Sequence, residues 1–230
     1  MKATAYRRWG HIGLAVLMAL LALFTLWFVA HALDFGWRGL TRDLRGEERL
    51  FSGNGTANAS IALHMITGAM ITFIAPLQLI QWVRRKAAIA HRIAGRIILA
   101  GAMFTAVSGS AYMLQRGTIG GAEMTVAFSL YGLAMALCAV QTYRAARAKR
   151  WVAHQDWAVR LFLLCIASFL YRVHYGFWFT FTGGLGAERD FTGAFDRANI
   201  WAFYVPYLVV VELVLWRKGR GLFAARAPSK

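Results

Sequence analysis

The chain has 230 residues, of which 59% are hydrophobic and only 16% charged, with a mean hydropathy of +0.48. Soluble domains carry roughly a quarter charged residues, so this composition excludes an ordinary water-soluble domain and makes the bilayer the solvent. The net charge of +16 raises the possibility of nucleic acid, but the basic residues are juxtamembrane and no aromatic-interleaved basic motif accompanies them, so membrane lipids, including anionic headgroups, are the expected partners and no nucleic acid is.

The predicted fold class is all-α: a polytopic membrane helix bundle forming one domain over residues 1–230. Six apolar runs, each near the roughly 20 residues that cross ~30 Å of hydrocarbon, fall at 11–33, 61–83, 93–114, 124–143, 157–181 and 200–216. The first run follows Lys2, Arg7 and Arg8, as a signal peptide would, but it is too long for an h-region and no small-residue cleavage site follows it. Most of the 26 Lys and Arg residues crowd the N-terminus, the second-to-third loop (Arg84, Arg85, Lys86, Arg92, Arg96), the fourth-to-fifth loop (Arg144, Arg147, Lys149, Arg150, Arg160) and the tail over 217–230. The remaining loops balance arginine with acid. The positive-inside rule therefore puts both termini in the cytoplasm, as an even number of spans requires, and makes this a multi-pass protein of the inner (cytoplasmic) membrane.

In chain order, the outer loop over 34–60 holds a mixed-charge segment at 41–50, read as a short surface helix, and then a Gly/Asn-rich link. Asn54 and Asn58 in that link match the glycosylation acceptor pattern, which is a short and common one. In the second span Pro76 marks a kink, with Gln78 beside it as a membrane-embedded amide. In the third, Gly95, Ala102, Ala106 and Gly109 share a face, leaving room for a neighbouring helix or for a flat cofactor. Cys138 and Cys165, the only cysteines, each sit inside a span and read as small apolar packing residues, with no disulfide scaffold or zinc motif to build from them. The loop over 182–199, with four glycines, can fold over the bundle mouth, and Glu212 in the last span pairs with a cytoplasmic arginine such as Arg217.

Ionisable groups in hydrocarbon are expensive and are retained for a purpose, so the six histidines are informative. They form two layers: His31, His64 and His174 outside, His11, His91 and His154 inside. Paired imidazoles at both membrane faces suit a b-type heme carrier, with His64 and His174 as outer and His91 and His154 as inner iron ligands. His154 and His174 are 20 residues apart, and at about 100° per residue they would face nearly opposite ways on a continuous helix, so the scheme requires His154 to hang in the loop before the fifth span. Arg172 shares a face with His154, Cys165, Ser168 and Tyr175. Its guanidinium needs an anionic partner, for which a heme propionate, a quinone oxygen or a lipid phosphate would serve, or else a route to the headgroups. The inner motifs His91-Arg-Ile-Ala-Gly-Arg96 and His154-Gln-Asp-Trp-Ala-Val-Arg160 add Arg96 and Arg160 to the candidate cofactor-binding residues.

His64, Gln78, His91-Arg-x-x-Gly-Arg96, His154-x-x-Trp157-x-x-Arg160 and Arg172 together resemble the family of predicted membrane proteins called domain of unknown function 2306, over about half the chain. The resemblance implies a multispan bacterial membrane protein and brings no established activity. A looser similarity is to six-helix diheme cytochromes of the b561 type, although here the fourth span carries no histidine. Two other readings stand beside the electron carrier: a non-redox membrane protein that binds or transports a lipid or small solute, and an accessory subunit of a larger membrane complex.

Overall fold

The computed structural model describes residues 23–42, 44, 50, 51 and 55–222. Its elements are α1 over residues 23–41, α2 (Gly55–Ile74), a 3-10 turn (Ala75–Leu79), α3 (Gln81–Lys86), α4 (Ala88–Arg116), α5 (Gly121–Arg147), α6 (Trp151–Thr182), α7 (Ala194–Ala202) and α8 (Val205–Arg217). No strand occurs among the described residues. An all-helical architecture follows from the solvent: in hydrocarbon each backbone amide must be bonded inside its own segment.

Among the described residues, five stretches are long and apolar enough to cross a membrane: Gly55–Leu79, Ala88–Arg116, Gly121–Arg147, Trp151–Thr182 and Ala194–Arg217. The first predicted span lies partly outside the described residues, and its described part, α1, runs eight residues past Leu33. There the Arg38 Nε donates to Asp34 at 2.9 Å, one helical turn away. The surface helix expected at 41–50 falls largely outside the described residues.

The long helices overrun the hydrocarbon. At ~1.5 Å per residue, the 32-residue α6 is roughly 48 Å long, well beyond a ~30 Å core. His91 and His154, expected at or before the starts of their spans, are therefore both in the first turns of helices, α4 and α6. The tight turn joining α5 to α6 places Lys149 at φ 55°.

Proline interrupts two spans. Pro76 has no N–H to donate, and the end of α2 tightens into the 3-10 turn; the chain then straightens at Ile80 and restarts as α3, so the second span ends at Leu79 rather than Val83. Pro206 is in the first turn of α8, just after the break at Phe203 and Tyr204 that separates α7 from α8. The last apolar element thus begins at Ala194, six residues before the expected start, and is a broken helix.

Helices α2, α4, α5 and α6 form the central bundle, with α1 against α2 and α6, and α7–α8 along α5 and α6. Ile71, Ala102, Met135, Leu164 and Cys165 are fully or almost fully buried at its centre, whereas Phe104 and Leu133 point outward, 66% and 67% exposed. An apolar core inside an apolar surface suits a lipid environment. The small-residue stripe on α4 is filled by side chains of α2 and of the 3-10 turn that follows it: the Gln78 amide lies against Gly95, and the His64 ring lies so close to Gly109 that a Cβ there would stand 2.7 Å from Nδ1. The stripe serves helix packing.

Candidate functional site

Polar side chains inside the bundle gather in two tiers. In the tier toward the predicted outer face, α2 turns His64 toward α4, where its Nδ1 lies 2.9 Å from the Thr105 carbonyl oxygen. A carbonyl only accepts, so Nδ1 carries the proton and Nε2 keeps its lone pair in the neutral ring. Next to it the Thr105 hydroxyl donates to Thr67 Oγ1 at 2.7 Å, and Thr67 donates to the Leu63 carbonyl.

Arg172 reaches into the same tier from α6. One Nη1 bond, 2.9 Å, goes to the Ser168 carbonyl of its own helix, and the guanidinium carbon sits 4.7 Å from the Phe28 ring centroid. The charge is within electrostatic reach of His64, Tyr131 and Tyr171. Among the described residues no carboxylate is at ion-pairing distance from it.

His174 belongs to a different network. Because α6 is one continuous helix through His154 and His174, the 20-residue interval leaves the two rings on nearly opposite faces, and the requirement that His154 hang in a loop is not met. His174 Nδ1 lies 2.7 Å from Asn199 Oδ1, and Nε2 lies 2.8 Å from the Tyr207 hydroxyl. Asn199 gives its Nδ2 to the Tyr171 carbonyl, which identifies Oδ1 as the acceptor and places the His174 proton on Nδ1. Both ring nitrogens are occupied. The structure therefore leaves His64 within electrostatic reach of Arg172 but sends His174 toward α7 and α8, beside an apolar groove of about 430 Å³ lined by Phe177, Trp178, Phe181 and Phe195. His31, exposed on α1, stacks on Trp27, and His11 lies outside the described residues.

In the inner tier, His154 Nδ1 lies 3.1 Å from the Thr142 carbonyl of α5, which again leaves Nε2 as the free lone pair. His91 is within electrostatic reach of His154 and of Arg84. His91 Nδ1 and Gln78 Nε2 are buried without a hydrogen-bond partner among the described residues. Arg96 is exposed on α4 and makes no ion pair among the described residues.

Arg160 is committed elsewhere. Its Nε pairs with Glu212 of α8, its Nη1 donates to the Asp156 carbonyl at 2.9 Å, and its guanidinium carbon is 4.9 Å from the Trp157 ring centroid. Glu212 thus does pair with one of the arginines assigned to the cytoplasmic side, Arg160 in place of Arg217, and accepts the Leu222 amide as well. Asp156 in turn holds Arg220, whose pKa this bonding raises. Sequence reasoning missed Asp156, Asn199 and Tyr207 as partners. The spacing of Asp156 and Arg160 by one helical turn was a usable signal, whereas nothing local marks Asn199 or Tyr207.

No curated protein and no solved structure matches the chain. The family of predicted membrane proteins DUF2306 does match, over residues 61–215, a stretch that contains both tiers and the arginine and carboxylates between α6 and α8; the chain belongs to that family.

Proposed function

We propose that this multi-pass protein resides in the cytoplasmic membrane and binds, between α2, α4, α5 and α6, a membrane-accessible molecule carrying an acidic group. The observation supporting this reading is Arg172, a guanidinium inside the bundle with no carboxylate partner among the described residues. An arginine at membrane depth costs about 3 kcal/mol on insertion scales, and a ligand carboxylate or phosphate meeting its planar fork would offset that cost. His64 and the Thr67–Thr105 hydroxyl pair supply further polar contacts beside it.

A second reading, electron transfer through a b-type heme, is favoured by the closeness of His91 and His154. The His154 ring is oriented by a carbonyl, as axial ligands commonly are, with Nε2 left to bind iron; the bound heme would supply one-electron chemistry. The outer pair, His64 and His174, faces different neighbours and fits this reading less well.

One preparation tests both readings. Wild-type protein, Arg172→Gln and His91→Ala are purified in mild detergent, scanned in the visible before and after dithionite, and extracted for mass spectrometry. The expected result is an acid-bearing molecule near one per chain in the wild type and lost in Arg172→Gln. Identical extracts from wild type and Arg172→Gln would overturn the proposal, and a reduced α band that disappears in His91→Ala would establish the heme reading.

A further inference from the structure

The inner rim of the bundle carries positive charge that is not fully neutralised by carboxylates among the described residues. Between Phe51 and Gln155 the sequence has a single acidic residue, Glu123, which lies at the far end of α5 and pairs with Arg197 at 2.8 Å. The same stretch places Arg84, Arg85 and Lys86 on α3, Arg92 and Arg96 on α4, and further basic residues around the α5–α6 turn. Two carboxylates do approach this rim, Asp156 and Glu212, but they are taken by Arg220 and Arg160.

The element at the centre of this charge is unusual in its surroundings. Helix α3 has six residues and none is buried. Trp82 on it is 66% exposed, and Leu79 and Ile80 just before it are exposed too. Trp151 and Trp216, at the neighbouring ends of α6 and α8, are likewise exposed. Tryptophan with exposed aliphatic side chains belongs where hydrocarbon gives way to headgroups, and a row of guanidinium and ammonium groups there calls for phosphate.

We propose that this rim, centred on α3, is a binding site for the headgroups of acidic phospholipids. Arg84, Arg85 and Lys86 hold the phosphate, and Trp82 with Leu79 and Ile80 enters the acyl boundary beside it. A zwitterionic lipid brings its own cation, which the rim repels. An acidic soluble protein would satisfy the charge but leave the apolar members of the patch in water. The site is separate from Arg172 and stands whether or not the bundle interior binds an acid.

The test uses the full chain, purified from membranes and reconstituted in nanodiscs of phosphatidylcholine containing graded phosphatidylglycerol. Retained lipid is counted by native mass spectrometry after release. Wild type is expected to retain phosphatidylglycerol in preference to phosphatidylcholine. Each neutralised residue should reduce that preference about fivefold, so Arg84→Gln/Arg85→Gln/Lys86→Gln should lower it roughly a hundredfold. Because α3 buries nothing, the triple variant should fold, and the single Arg85→Gln provides a milder check. Arg116→Gln, at the opposite end of α4, should change nothing. Equal retention of the two lipids by wild type, an unaltered preference in the triple variant, or an acidic protein co-purifying in place of phosphatidylglycerol would overturn the proposal.

Discussion

Arg160 and Arg172 show how one residue type takes two roles twelve positions apart on a single helix. Arg160, with a side chain only 4% exposed, is paired: Glu212 opposes its Nε across the α6–α8 interface, and the Asp156 carbonyl accepts a bond from Nη1, while Nη2 is buried without a partner among the described residues. Removing one partner of such a pair strands the other charge, which costs more than the pair contributes. Glu212→Gln is therefore expected to lower stability by about 3 kcal/mol, and Arg160→Leu/Glu212→Leu by less than the single change, as thermal unfolding in detergent would measure. Arg172 has no such opposite number among the described residues, which is why it carries the functional proposal. In the sequence the two arginines look alike. Their difference comes from Glu212, 52 residues away from Arg160, reaching one of them and not the other.

At the scale of elements, the interruptions are where the polar groups concentrate. Helix α7 begins at Ala194 because Asp196, completely buried, accepts the Gly193 and Glu188 amides at 3.1 and 2.8 Å and the Tyr175 hydroxyl as well. That carboxylate folds the glycine-rich loop back over the bundle mouth, where Trp178 donates to the Leu185 carbonyl and stacks on Phe195. Asp196→Ala leaves three donors unmet in a buried place. It should cost at least 2 kcal/mol and hasten amide exchange over residues 185–197, measurable by mass spectrometry. The break at Phe203 and Tyr204 has a comparable effect: it swings Tyr207 to His174, so the histidine is held by one helix on each side of the interruption. Pro76 was a visible cause of the first interruption. The loop-folding role of Asp196 was not, because a lone acid among glycines has no local pattern that separates a buried hub from a solvated loop residue.

For the whole molecule, the charge asymmetry between loops predicts that both termini face the cytoplasm. A C-terminal fusion to a reporter that is active only in the cytoplasm should be active, and one that is active only outside should be silent; the opposite result would invert the two tiers and the lipid-binding rim together. Composition and periodicity by themselves determined the helical class, the membrane as solvent, the approximate spans and the polar residues worth asking about. They could do so because the burial cost of peptide groups and charges in hydrocarbon acts on each segment independently. Only the tertiary structure decided which of those residues meet. His64 turns to the Thr105 carbonyl, His154 to the Thr142 carbonyl, and His174 to Asn199 and Tyr207, because the facing of a side chain depends on helix rotation, on where proline breaks a span and on the space that a missing Cβ leaves at Gly109. Those are properties of packed pairs of helices, and no single stretch of sequence contains them.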